Sequence, residues 1–229
     1  MKIYYRISDK GRRDSKPDFI TPEKCLNNFC KHFDISNITI IADNCEPTTI
    51  EMIYKYVSKE KVYITSLGNS GSFLFTLNRI LYDNLDDDTI VYLVEDDYLH
   101  YYGSSQILLE GFQYGDYVSL YDHPDKYAYN GSPNPYVHDG GEYTKVFLSN
   151  NTHWKYTNST TLTFACKYKT LHEDYNTIIK YCGEKMTLDF AMFCELIQQK
   201  SRKLVTPLPG RATHGQLPLF SPLIDWSTV

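Results

Sequence analysis

Three consecutive acids, Glu95, Asp96 and Asp97, close the apolar part of the segment VYLVEDDYLH (91–100). A run of this kind reads as a buried strand, and in open α/β sheets ligands gather outside the carboxyl ends of the strands. Carboxylates so close together repel one another, so a positive group or a set of donors is expected beside them. A hard divalent cation, Mn2+ or Mg2+, bound through oxygen ligands and a substrate diphosphate, would fill that place. The alternative is a solvated acidic turn capping the next helix. Because no G-x-x-x-x-G-K-[ST] occurs, a P-loop site is excluded; SLGNSGS (66–72) has glycines but no lysine.

The elements around the triplet must carry it to a sheet edge. KIYYRI (2–7), ITIIA (38–42), KVYIT (61–65) and TIVYLV (89–94) are short apolar β runs. Amphipathic stretches separate them. The first has Thr21 as N-cap, Pro22 at the first helical position, and Leu26, Phe29, Cys30 and Phe33 on one face. The second carries Ile50, Ile53, Tyr54 and Val57, and the third Phe73, Leu77, Ile80 and Leu81. Uninterrupted apolar strands alternating with such helices predict an α/β fold with a mostly parallel sheet covered on both faces. Beyond residue 100 the spacing predicts a helix over 104–113, strands over 116–121, 144–149 and 161–168, helices near 171–182 and 188–200, and a last strand KLVTPL. The stretch 122–142 has no periodicity and reads as loop. Arg6, Ser8 and Asp43 all fall at strand ends, so they could share one sheet edge with the triplet. Asp43 is equally an Asx-turn residue of DNCEP, and Arg6 equally a surface ion pair.

Composition sets the outer limits. A chain of 229 residues fits one large domain, and its net charge of −5 argues against a nucleic-acid partner, which would meet a basic patch. The one basic cluster, Lys10, Arg12 and Arg13, is short. No apolar run is long enough to span a membrane and MKIYYRIS lacks a signal-peptide core, so a soluble cytoplasmic protein is expected. The six cysteines show no C-x-x-C pair and no zinc spacing, and read as reduced core residues. Sequons at Asn37, Asn130, Asn150 and Asn158 carry little weight without a secretory signal. Tyrosine is abundant, 21 against 2 Trp, and ten of these lie between Tyr98 and Tyr143, directly after the triplet. That segment is the one expected to shape the contacts beside the triplet.

Strand order, the Glu-Asp-Asp triplet, Arg6 and Asp43 together resemble the GT-A fold of nucleotide-sugar-dependent glycosyltransferases. The nearest likeness is to the N-acetylglucosaminyltransferases of N-glycan branching, whose metal motif is also Glu-Asp-Asp after an apolar strand, and whose Asp-Cys pair IADNC (41–45) partly echoes. The resemblance covers about residues 1–120. It implies Asp97 on a Mn2+ or Mg2+ ion, Glu95 and Asp96 near the ribose or base, Asp43 on the base, and Arg6 and Ser8 close to the nucleotide. The loop Gly68–Ser72, with Asn69, departs from that family. It could offer backbone N–H groups to the nucleotide, or be a tight connection.

The resemblance also implies a late carboxylate that deprotonates the acceptor, and Asp189 in EKMTLDFAMFCEL occupies that place; Glu184 and Asp122 are reserves. An acid in a first helical turn is favoured by the macrodipole without catalysis, so a capping role is the alternative. His214 in RATHGQ resembles the C-terminal His that such enzymes fold back onto the metal or diphosphate. Trp154 is either a sugar-stacking platform or a core anchor with its N–H satisfied, and His153, Tyr121, Asp122 and His123 are further acceptor-side candidates.

The expectation is therefore a single GT-A domain over 1–229, with a nucleotide-sugar-binding half to about residue 120 and a mixed acceptor half after it. It would move a sugar from a nucleoside-diphosphate donor, a UDP-sugar first, to a hydroxyl of a glycan-type acceptor, with inversion if Asp189 is the base. One rival is a sugar-phosphate nucleotidyltransferase, which carries a Gly-rich basic signature after the first strand that GRRDSK (11–16) weakly matches. The other is a binding protein of the same fold without catalysis.

Overall fold

A computed structural model describes residues 1–11, 15–128 and 134–229. Arg12, Arg13 and the middle of GRRDSK, the sequon at Asn130, and Tyr129 of the tyrosine-rich segment lie outside the described residues. The elements in order are β1 (Lys2–Ser8), α1 (Pro22–His32), β2 (Ile38–Asp43), α2 (Pro47–Ile53), β3 (Val62–Thr65), α3 (Gly68–Asp83), β4 (Ile90–Glu95), β5 (Tyr98–His100), α4 (Ser104–Gly111) and β6 (Tyr117–Val118). Then follow β7 (Val137–His138), β8 (Gly141–Glu142), β9 (Val146–Leu148), β10 (His153–Tyr156), β11 (Phe164–Lys167), α5 (Tyr168–Ile179), α6 (Asp189–Lys200), β12 (Leu204–Leu208) and β13 (Ala212–His214).

Nine strands form one sheet in the order β3-β2-β1-β4-β11-β6-β12-β10-β9. The first four are mutually parallel, as the alternation predicts, with Arg6 opposite Glu95 and Ser8 opposite Asp43 in register. β11 then runs antiparallel to β4, and β6, β12, β10 and β9 continue in mixed sense. The second half of the chain thus extends the same sheet, which is mixed as a whole.

Period-2 alternation sorts β1 between two cores. Ile3, Tyr5 and Ile7 face the cluster built with Leu26 and Phe29 of α1, Ile53 of α2 and Leu108 of α4. Tyr4 faces Phe73 and Leu77 of α3, Leu171 of α5 and Phe193 of α6. Helices therefore cover both faces. The same parity turns Arg6, Asp43 and Glu95 toward the α3 side. α1 begins as its sequence dictates, the Thr21 hydroxyl accepting from Lys24 N at 3.1 Å.

Two strands not foreseen position the C-terminal tail. β13 pairs antiparallel with β5, setting His214 opposite Tyr98. A small core of Ile20, Cys25, Leu99 and Trp226 then pins the tail to the loop after β1. None of the six cysteines is in a disulfide. Among the described residues no helix is long and apolar enough to cross a membrane.

Candidate active site

The carboxyl end of β4 is where charge concentrates. Arg6 donates to Glu95 Oε1 and, through its other terminal nitrogen, to the Asn69 carbonyl at 2.8 Å and the Ser72 hydroxyl at 3.4 Å. Its guanidinium also lies over the Phe73 ring at 5.2 Å. Arg6 is 8% exposed, so the surface ion pair does not describe it: it joins β1, β4 and the start of α3. Burial pushes the Glu95 carboxyl up against the opposing pull of Arg6.

Asp96 accepts from Ser8 N at 3.0 Å, which ties the end of β1 to the triplet. Burial, then the charge of Asp97, raise its pKa to about 7. Asp97 is itself 8% exposed and meets two cationic groups through Oδ2, Lys16 Nζ at 2.8 Å and His214 Nε2 at 3.1 Å. Although burial works the other way, these two hold its carboxyl far below the usual range. His214 is raised in return: burial alone would lower it, and Asp97 outweighs that. Asp97 Oδ1 and His214 Nδ1 are buried with no hydrogen-bond partner among the described residues. Gly215 makes the approach possible. Its N–H donates to the Asp97 carbonyl at 2.6 Å, and a Cβ there would lie 2.7 Å from that oxygen and 2.5 Å from Ile20.

Asp189 reaches the same region through a strained loop. Its Oδ2 accepts from Thr160 N at 2.9 Å and Thr161 N at 2.7 Å. Thr161 and Leu162 have φ of +48° and +59°, a left-handed conformation that non-glycine residues adopt only when neighbours hold them there. From this loop the Thr163 hydroxyl accepts from Glu95 N at 3.2 Å, and the Thr160 carbonyl accepts from Tyr98 OH at 2.9 Å. Asp189 and the triplet are thus separated by one short loop. Both Asp97 and Asp189 act electrostatically on Tyr121, whose pKa is raised by burial and by Asp125, Asp122, Asp97 and Asp189 in turn.

Asp43 sits differently. Oδ1 accepts from Thr65 Oγ1 at 2.8 Å and Leu67 N at 2.6 Å, and Oδ2 from Asn44 Nδ2 at 2.7 Å and Gly68 N at 3.0 Å. α3 has no side-chain cap of its own, and this carboxylate from β2 supplies the negative charge at its start. The N–H groups of Leu67 and Gly68 are therefore spent on Asp43. Asn69 is spent as well, its carbonyl on Arg6 and its Oδ1 on Thr187 N at 3.4 Å.

Trp154 corrects one expectation: it is the core anchor, not an open stacking platform. The ring is fully buried, its Nε1 donates to Ser149 Oγ at 3.0 Å, and it packs so closely on Gly111 that a Cβ there would lie 2.8 Å from it. The reserve acid Asp122 is buried in an ion pair with Lys155 at 2.8 Å and accepts from Tyr127 OH at 2.7 Å, while Glu184 is exposed. Of the tyrosine-rich segment, Tyr98 and Tyr121 pack against His214 with ring centres 5.5 and 6.3 Å away, whereas Tyr102 and Tyr143 are exposed. A separate cleft of about 440 Å3 is lined by Tyr136, Tyr143, Tyr156 and Asn158 among others and contains none of the predicted site residues.

Lys16 was not among the predicted site residues; it entered the sequence reading only as the last residue of GRRDSK, a weak basic signature after the first strand. As a divalent-metal centre the arrangement fits poorly. Among the described residues no three His, Cys, Asp or Glu side chains converge. Among the described residues Asp97 Oδ1 is the one buried oxygen of the triplet with no hydrogen-bond partner, and the neighbouring oxygen already holds an ammonium.

No protein-family profile matches the sequence, and no curated protein does. Solved structures match the fold. GalNAc-T7 with UDP, GalNAc and Mn2+ is 12% identical over 93% of this chain and 43% of its own, with a TM-score of 0.58. The 4-diphosphocytidyl-2C-methyl-D-erythritol synthase of Anaerococcus prevotii is 13% identical over 92% of this chain and 88% of its own, at 0.50. TarS 1–349 of S. aureus is 16% identical over 90% and 58%, at 0.48. The chain thus spans about half the length of the TarS and GalNAc-T7 chains. The fold is GT-A-like: an α/β sheet flanked, among the described residues, by six helices, with the acidic triplet at the carboxyl end of β4.

Proposed function

We propose that this protein transfers a sugar from a nucleoside-diphosphate donor, a UDP-sugar first, to a hydroxyl of a glycan-type acceptor. The observation that carries the reading is the meeting of His214 with Asp97, which brings a cationic side chain of the tail onto the triplet at a strand end where a GT-A-like sheet binds its ligand.

Breaking a sugar–phosphate bond leaves a diphosphate whose growing charge needs neutralising, and Lys16 and His214 stand where positive charge would do so. Glu95 and Asp96 are fixed by Arg6 and Ser8 N and offer acceptor oxygens to ribose hydroxyls or base. Asp189 is the candidate base for the acceptor hydroxyl. Its Oδ2 is held by two backbone N–H groups, and among the described residues Oδ1 has no donor, leaving one oxygen to take a proton. Direct displacement with Asp189 opposite the leaving group inverts the anomeric carbon.

Lys16 also favours a second reading, a sugar-phosphate nucleotidyltransferase, because it places a basic residue of the loop after β1 at the site. One assay separates the two. Incubation with a panel of nucleoside-diphosphate sugars is expected to release free nucleoside diphosphate; pyrophosphate released from a nucleoside triphosphate and a sugar phosphate would select the second reading. Binding without either product would leave a non-catalytic protein.

A further inference from the structure

Lys16 is held in place from several directions. Leu217 N donates to the Ser15 carbonyl at 2.8 Å, Ile20 N donates to the Pro17 carbonyl at 2.9 Å, and Ile20 packs against Leu99 and Trp226. The tail that brings His214 to Asp97 therefore clamps the Lys16 loop as well. The lysine side chain is 11% exposed, so its ammonium is delivered into the site by the framework, unlike a surface lysine that samples solvent. Each cationic group there has an acidic partner: Arg6 on Glu95, Lys16 and His214 on Asp97. The triplet is close to charge balance before any metal arrives. A divalent ion would enter beside Lys16 and His214, which both already bear on Asp97 Oδ2.

We propose that Lys16 is the resident cation for the donor diphosphate, so that nucleotide binding at this site does not require a divalent metal. An ammonium is a compact point charge, so it attracts phosphate oxygens by charge while it stays beside the Asp97 carboxylate. The inference rests on the transferase reading and serves a nucleotidyltransferase equally, since both present a phosphate chain to the triplet.

The test is equilibrium binding of UDP, GDP, CDP and ADP to the whole protein by calorimetry, in EDTA and in Mn2+. The wild-type protein is expected to bind its preferred nucleotide in EDTA within about threefold of its affinity in Mn2+. Lys16→Met is expected to weaken binding in EDTA by about tenfold or more, and Lys16→Arg to restore most of it. Circular dichroism checks the fold of each variant, and the wild-type comparison needs no variant at all. Binding that appears only with Mn2+, or a folded Lys16→Met that binds as tightly as wild type in EDTA, overturns the inference and leaves the transferase reading standing. Binding of no nucleotide in either condition removes both.

Discussion

His214 Nε2 lies 3.1 Å from Asp97 Oδ2, so the last strand of the chain ends on the triplet that closes β4. The contact links tail docking to site charge. Because the folded protein raises the His214 pKa, its contribution to stability is full below the unfolded value of about 6.5 and is lost as pH rises through the folded value. His214→Ala is therefore expected to cost about 1.5–3 kcal/mol at pH 6 and less at pH 9. Urea unfolding at the two pH values checks this, and an equal cost at both would show that the imidazole packs without charge.

Asp96 shifts stability in the same direction with pH, but here the cause is burial of the carboxyl. Its folded pKa is raised from 3.8 to about 7, so between those values the folded state holds a proton that the unfolded state has released. Stability should fall with rising pH across that window and level off above it. Asp96→Asn cannot titrate, and its amide oxygen can still accept from Ser8 N. The melting temperature of the variant relative to wild type is expected to climb from pH 4 to pH 7, by the equivalent of about 1–3 kcal/mol. A difference that stays flat with pH would place the carboxyl in a more solvated setting.

Asp43 is expected to act mainly through the fold. Four donors converge on it, two of them the backbone N–H groups that open α3. Asp43→Ala strands these donors and is expected to cost about 3 kcal/mol or more in chemical denaturation. An unchanged unfolding midpoint together with a lost nucleotide preference would instead favour direct reading of the base.

These residues show what the sequence could and could not convey. The alternation of β1 to β4 with α1 to α3 was legible because local periodicity and caps decide it, and the triplet's place followed from its position directly after an apolar run. The proximity of His214 to Asp97 had no local signal; it was expected only by resemblance, since β13 and β5 pair across a long separation. Lys16 showed only as the end of the weak signature GRRDSK, because its position depends on the tail, through Leu217 and Ile20, and not on its own neighbours. Asp43 stayed open between two readings because a strand-end carboxylate suits a ligand as well as it suits the uncapped helix after the next strand. Trp154 was ambiguous for a related reason: an aromatic on a strand says nothing of which face meets a helix, and Gly111 opposite it decides the matter.

Asp189 separates positioning from proton transfer. Its Oδ2 holds Thr160 N and Thr161 N in a loop whose left-handed residues would otherwise relax, and that loop contacts Glu95 and Tyr98. Alanine would remove both roles at once, so the informative variant is Asp189→Asn, whose amide oxygen can keep accepting from the two N–H groups but cannot take a proton at neutral pH. If Asp189 is the base, this variant is expected to bind nucleotide and unfold much as wild type does while transfer slows by about 10²–10⁴-fold, the usual contribution of a general base. Donor hydrolysis and acceptor transfer should be measured side by side with a urea midpoint. Transfer retained at near wild-type rate would make Asp189 a loop clamp alone, and transfer lost together with nucleotide binding would show that the loop, not the proton, had been disturbed.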